Sequence, residues 1–232
     1  LERAYADPDF CPFADLYGKG RSDKAAGETI LHTYDFLRAL PDYDRKLDEF
    51  LAPWKAERGF DKTCWHDLLL AEAARDAKAG RELFCAALSD CKNDLVLARI
   101  EAENKGKTDA ARAKGVAGAN DKFAEPLERL ENAAALLGEV ERLAEAGEWT
   151  PLYDRLTPYV LGMEPLPGLK GMKKRLTGEH KAAVKTRADE AAGLFGQILE
   201  LISCSEDEAE ADRLAALPRL QGLFAAVRDF DA

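Results

Sequence analysis

Three histidines, five cysteines and 43 acidic side chains are the groups in this 232-residue chain that could carry acid–base, metal or thiol chemistry. His32, His66 and His180 fall in three separate segments. Cys64-Trp65-His66-Asp67 sets metal-ligand types side by side, but adjacent residues on a helix point in different directions, and a zinc site needs about four convergent ligands. The stretch reads as a packed tryptophan beside a surface histidine. The run from Tyr17 to Lys24, YGKGRSDK, has the glycines of a phosphate loop without its Gly-Lys-Ser/Thr spacing or a preceding strand; it reads as a turn before a helix. SEDEAEAD, from Ser205 to Asp212, is rich in carboxylates but lacks the glycine of an EF-hand loop. It reads as a solvated helix start, where the helix dipole favours negative charge. No serine–histidine or cysteine–histidine dyad is identifiable, so the expectation is a non-enzyme with no metal and no cofactor.

Cys11, Cys64, Cys85, Cys91 and Cys204 are odd in number, so at least one is unpaired within the chain. Three of them lie between Cys64 and Cys91. Two readings stay open for these: one disulfide in an oxidising compartment, or buried free thiols that pack as small apolar groups.

Lysine and arginine cluster at one place. Lys170, Lys173, Lys174 and Arg175, with Lys181 and Lys185 further on, stand out in a chain of formal net charge -10. The cluster is either an ordinary solvated face or a docking patch for an acidic partner, whose contacts steer association and weaken with salt. The overall charge argues against a nucleic-acid binder, which displaces counterions with a basic face. No apolar run approaches the ~20 residues that span a bilayer. The chain is expected to be soluble or peripheral to a membrane.

The elements that must position these groups are helical. Hydrophobic residues make up 47% of the chain, enough for a core. Residues 1–21 have no helical period. Ser22 is placed to cap a helix to about Leu40, with Ile30, Tyr34, Leu37 and Leu40 at helical spacing. Pro41 and Pro53 bracket a second helix. A third starts at Asp61 or Thr63, and the pattern resumes at Gly80 and continues to Ile100 after a break near Ser89. Ala102 to Lys122 has no large apolar residue except Val116; it reads as a polar linker or an exposed, weakly packed helix. The domain boundary is expected there, between an N-terminal region 1–120 and a second domain 121–232.

From Phe123 the seam Phe123, Leu127, Leu130, Ala134, Leu137 follows 4-3-4-3 spacing, with Pro126 in the first turn and Gly147 at the end. A long connection with Trp149, Pro158, Pro165 and Pro167 holds one short helix. Val184, Ala188, Ala191, Phe195, Ile198 and Ile202 form a second seam. A last helix carries Leu217, Leu220, Phe224 and Val227, with Pro218 kinking it or marking a late start. The expected fold is all-α: a four-helix bundle over 121–232, preceded by an irregular arm and a helical extension.

In this second half the sequence resembles the PsbQ-type extrinsic proteins of photosystem II. KFAEPLERLENAAALLGEVERLAEAGEW is similar to the first bundle helix of that family, with a tryptophan at its end. WTPLYDRL and PLPGLKGMKKRL resemble its tryptophan-led second helix and the Gly-Leu-x-x-Met stretch after it. ADEAAGLFGQILEL is similar to its third helix, and LQGLFAAVRDFDA to its last, ending Asp-Phe-Asp. The likeness covers about half the chain, and residues 1–120 depart from it, which points to an algal relative with a long N-terminal extension. The resemblance implies a non-catalytic subunit in the chloroplast thylakoid lumen. It would dock on photosystem core or antenna subunits beside other extrinsic subunits, stabilise the oxygen-evolving complex and support calcium and chloride retention. A chain that starts at Leu1 would then be a mature protein whose targeting peptide is gone, and the lumen would favour a disulfide. Two alternatives stand beside it: a lumenal linker between photosystem I and its antenna, and a helical ligand-binding protein unrelated to photosynthesis.

Overall fold

The computed structural model describes residues 24–55, 59–169, 171 and 176–231, and not the side chains of 53, 230 and 231. Of the described residues 84% are helical and none lies in a strand, so the all-α expectation holds. Among them are seven α-helices: α1 Lys24–Leu37, α2 Tyr43–Lys55, α3 Cys64–Lys105, α4 Asp109–Glu145, α5 Trp149–Val160, α6 Lys181–Leu201 and α7 Glu206–Asp231. None is long and apolar enough to cross a membrane.

The chain folds as two compact units, and they do not part at the polar stretch 102–122. One unit comprises the described residues up to His66 together with those from Glu206 onward; the other is residues 67–205, inserted between those two pieces. The helices expected to share a bundle over 121–232 are therefore divided, because α7 packs on α1 and α2. Ala26, Ile30, Leu37 and Leu47 close the core there with Ala226 and Val227 of α7, and Leu223 and Phe224 lie half-buried against it. Arg213 of α7 is 5% exposed. Its guanidinium donates to both oxygens of Glu210 at 2.7 Å and to the backbone carbonyl of Trp54, so each of its three nitrogens has an acceptor. Arg228 donates to Asp44 at 3.1 Å and to Asp48 at 2.8 Å, joining the other end of α7 to α2. The acidic residues Glu206, Asp207 and Glu208 occupy the first turn of α7, where the dipole favours them. Pro218 neither delays nor ends this helix, and α2 likewise runs past Pro53 to Lys55.

The second unit is built on α3, one uninterrupted helix where the sequence pattern predicts breaks near Gly80 and Ser89. Its start is set by Thr63, whose hydroxyl accepts the His66 N–H at 3.3 Å. Helix α4 returns antiparallel to it: Arg81 pairs with Glu141 at 2.7 Å, Lys92 with Glu131 at 2.9 Å, and Arg99 donates to Asn120 at 2.7 Å. The polar stretch is the tip of this hairpin. It is helical because it is rich in alanine and charged helix formers and because the Thr108 hydroxyl caps α4 by accepting the Ala111 N–H at 3.2 Å. Pro126 consequently sits in the interior of α4, not in its first turn. The buried stripe of α4 runs through Phe123, Pro126, Leu130, Ala133, Leu137 and Val140, so Leu127 and Ala134 lie at its margin, half-buried. The end of α4 is a Schellman turn: Gly147, at φ +74°, donates to Ala144 O, and Glu148 donates to Leu143 O, both at 3.1 Å. Every residue of the expected α6 seam, Val184 through Ile202, is buried.

Gly80 is where three helices meet. A methyl group there would stand 2.8 Å from a Leu137 methyl of α4 and 3.6 Å from the Ala191 carbonyl of α6. Gly118, on α4, has open space around the same position. The two glycines therefore respond oppositely. Gly80→Val should destabilise the protein by about 1–3 kcal/mol through overpacking. Gly118→Ala should stabilise it by about 0.5–1 kcal/mol through helix propensity. Urea denaturation of both variants measures this, and equal signs would refute the packing difference. In the other unit, Arg213→Met should cost about 2–4 kcal/mol in the same assay, since Glu210 and the Trp54 carbonyl lose the guanidinium that binds both.

Candidate functional site

Of the six basic residues that form the expected docking patch, Lys170, Lys173, Lys174 and Arg175 lie outside the described residues. Lys181 and Lys185 are both exposed, on the first two turns of α6. Lys181 stands in the first turn, where the helix dipole disfavours a cation. The residues that flank the basic segment are anchored: Leu169 is 2% and Leu176 3% exposed.

The start of α6 is held by a group that spacing alone does not reveal. Asp94 of α3 is 2% exposed. Its two carboxylate oxygens accept the backbone N–H of His180 at 3.2 Å each, and the His180 ring donates from Nδ1 to Oδ1 at 2.8 Å. Gly178, at φ +115°, lets the backbone turn directly against this carboxylate; a β-carbon would collide with it. One turn earlier on α3, Asp90 pairs with Arg187 of α6. The two carboxylates stand four residues apart, so they share one face of α3. The hydrogen bond to Asp94 raises the pKa of His180 above its ordinary value, and the charges of Asp94, Asp90 and Glu179 add to that rise.

The earlier part of the connection is exposed and apolar. Leu161 is 63%, Met163 74% and Leu166 45% exposed. The backbone of the first part is hydrogen-bonded: Leu161 donates to Thr157 O at 2.9 Å, and Met163 and Glu164 both donate to Pro158 O, at 2.8 and 3.0 Å. Gly162, at φ +67°, allows the turn. Trp149, at the start of α5, is 2% exposed, and its indole N–H donates to the Cys204 carbonyl at 3.2 Å. Tyr159 meets Phe195 edge-on at 5.1 Å.

The Cys64–Asp67 stretch is reversed relative to expectation. His66 is the buried residue, 6% exposed and edge-on to Phe60, whereas Trp65 is 38% exposed and lies against Trp54. The four described cysteines are free thiols. Cys64, Cys85 and Cys91 share the single helix α3, and even the nearest two, six residues apart, are separated by about 9 Å along its axis, too far for a disulfide. Burial raises the Cys91 thiol pKa to about 11. Cys11 lies outside the described residues, as do residues 17–23 of the glycine-bearing run, Gly18, Gly20 and Ser22 among them. No three His, Cys, Asp or Glu side chains among the described residues are arranged to hold a metal ion.

No family model matches the chain, and no solved structure matches it. Over 96 residues it is 27% identical to one subunit of an ATP-dependent helicase/nuclease of Acetivibrio thermocellus, covering 40% of this chain and 8% of that protein.

The His180–Asp94 pair predicts a pH dependence. The raised pKa of His180 means that the stabilisation is complete below the ordinary histidine value near ~6.5. It is lost as pH rises through the folded-state value. Wild type should therefore exceed His180→Gln in stability at about pH 6, with the gap narrowing toward about pH 8.5. Thermal melts of both proteins across that range measure it; a gap independent of pH would refute the pairing of charges.

Proposed function

We propose that this protein is a non-catalytic docking subunit, and that the partner lies on the lumenal side of a photosystem, as an extrinsic subunit stabilising the oxygen-evolving complex of photosystem II. The observation that carries the docking part is the connection between α5 and α6. It exposes Leu161 and Met163 on a hydrogen-bonded turn, with exposed Leu166 just beyond it. It then leads through the basic segment to exposed Lys181 and Lys185. Large apolar side chains beside like charges are what a protein-docking edge presents: an apolar centre with a charged rim that selects an acidic partner. The partner's identity rests on the PsbQ-type resemblance of the residues between Lys122 and Ala232, which include this connection.

The similarity to the helicase/nuclease protein reaches 8% of its length, so its activity is not carried to this chain. With a net charge of -10, attachment to an acidic surface must be local. Charges more than a Debye length away, about 8 Å at physiological ionic strength, contribute little.

Reconstitution tests this directly. The purified chain is added to salt-washed photosystem II, and sedimented protein and oxygen evolution at low calcium and chloride are followed. Saturable binding with recovered oxygen evolution is expected. Lys181→Glu with Lys185→Glu should weaken binding about tenfold, and more so at low salt. Met163→Asp should weaken it by a similar factor. Binding to isolated photosystem I antenna in place of photosystem II would move the partner to that complex. Binding unaffected by these substitutions would overturn the docking edge itself.

A further inference from the structure

The tip of the α3–α4 hairpin carries a second feature, in which the connection between α5 and α6 has only a minor part. A groove of about 620 Å³ lies between the two helices and the loop at Thr177–Glu179. Its volume is within the ~300–1,000 Å³ typical of small-molecule sites. Two glycines in the α4 wall leave room for it. Gly115 packs so closely on α3 that a methyl group there would stand 3.0 Å from Ala102 Cβ, and Gly118 faces open space. The floor is apolar: Phe123 is buried, while Leu97 and Ile100 are 40% and 47% exposed. An ordinary solvated helix face does not collect these residues in one depression.

The charges around the groove are unevenly satisfied. Asp94 is taken up by His180, and Glu101 pairs with Lys105 at 3.0 Å. Glu179 is exposed on the loop, close enough to His180 to add to the rise in its pKa. Lys114 and Lys122, both lining the groove from α4, have no carboxylate within ion-pair distance among the described residues. The lining thus offers one apolar floor and two ammonium groups on the same wall.

We propose that this groove binds a small amphipathic anion: an apolar body against Leu97, Ile100 and Phe123, and an anionic head drawn to the α4 wall that carries Lys114 and Lys122. A partner helix fits less well. The apolar floor on α3 extends for about one turn and is bounded by the Asp94–His180 contact at one end and the Glu101–Lys105 pair at the other, whereas a docked helix needs anchors over several turns. The negative net charge of the chain does not prevent anion binding, since screening leaves the nearest charges in control.

Decanoate is the probe, and decanol, with the same chain length and no charge, is its control. Calorimetry on the full chain should show saturable 1:1 binding of decanoate, stronger than that of decanol. Gly118→Leu places a side chain into the groove without a clash at its β-carbon and raises helix propensity. It should weaken decanoate at least about tenfold while leaving the far-ultraviolet circular dichroism unchanged. Lys114→Gln with Lys122→Gln should weaken decanoate about three- to tenfold and remove the preference over decanol. Non-saturable uptake, equal affinity for the two probes, or full binding by Gly118→Leu would each overturn the proposal.

Discussion

A buried carboxylate must find donors, and the donors that Asp94 finds determine how the connection ends. At 2% exposure it has lost nearly all its water, a cost repaid only by several hydrogen bonds to the charged form. The His180 amide and ring supply them. That places residue 180 on α3 and starts α6 at Lys181. It also brings the loop at Gly178 against the same carboxylate. The position of Lys181 and Lys185, the entry of the buried seam from Val184 onward, and the loop wall of the groove all follow from this contact. The Asp90–Arg187 pair repeats it one turn earlier on α3, so the N-terminal half of α6 is tied to α3 by charge alongside the apolar packing that starts at Val184.

The connection between α5 and α6 divides its tasks between backbone and side chains. Met163 and Glu164 both donate to Pro158 O, so the turn satisfies its own polar groups and needs no help from the core. Its side chains are then free to face outward. Leu161 and Met163 do so, with exposed Leu166 just beyond the turn, while Leu169 and Leu176 further on are buried. A mobile loop would also expose apolar residues, but it would lose conformational entropy on binding. A turn already held by hydrogen bonds loses less, which suits it to a docking role.

The hairpin tip uses the opposite device. There the close approach of Gly115 to Ala102 replaces side-chain packing with helix-to-helix contact, and the missing side chains leave a depression. The same absence of large apolar residues that resembles a linker in the sequence produces a groove in the fold.

Much of this is legible in the residues alone. The helical class follows from composition and the 3.6-residue period, and the α6 seam is identifiable residue by residue, because a strongly one-sided helix has one way to bury its face. Local end signals also hold: Thr63 starts α3, Gly147 closes α4, and the acidic turn opens α7. What fails is whatever depends on a partner far along the chain. Spacing alone puts Leu127 and Ala134 on the α4 stripe, but tertiary packing buries Pro126 and Ala133. Trp65 and His66 exchange places, because the packing of Phe60, not the residue type, decides which of two neighbours on a helix is covered. The last helix takes unexpected neighbours for the same reason: its periodicity shows that it has an apolar face, and only α1 and α2 decide what covers it. Asp94 lies 86 residues from His180, and nothing in the period of α3 marks it as buried. A sequence states which faces must be covered and where helices can begin and end. Which surfaces cover them, and which charges meet, are settled by contacts between distant segments, and these carry no local signature.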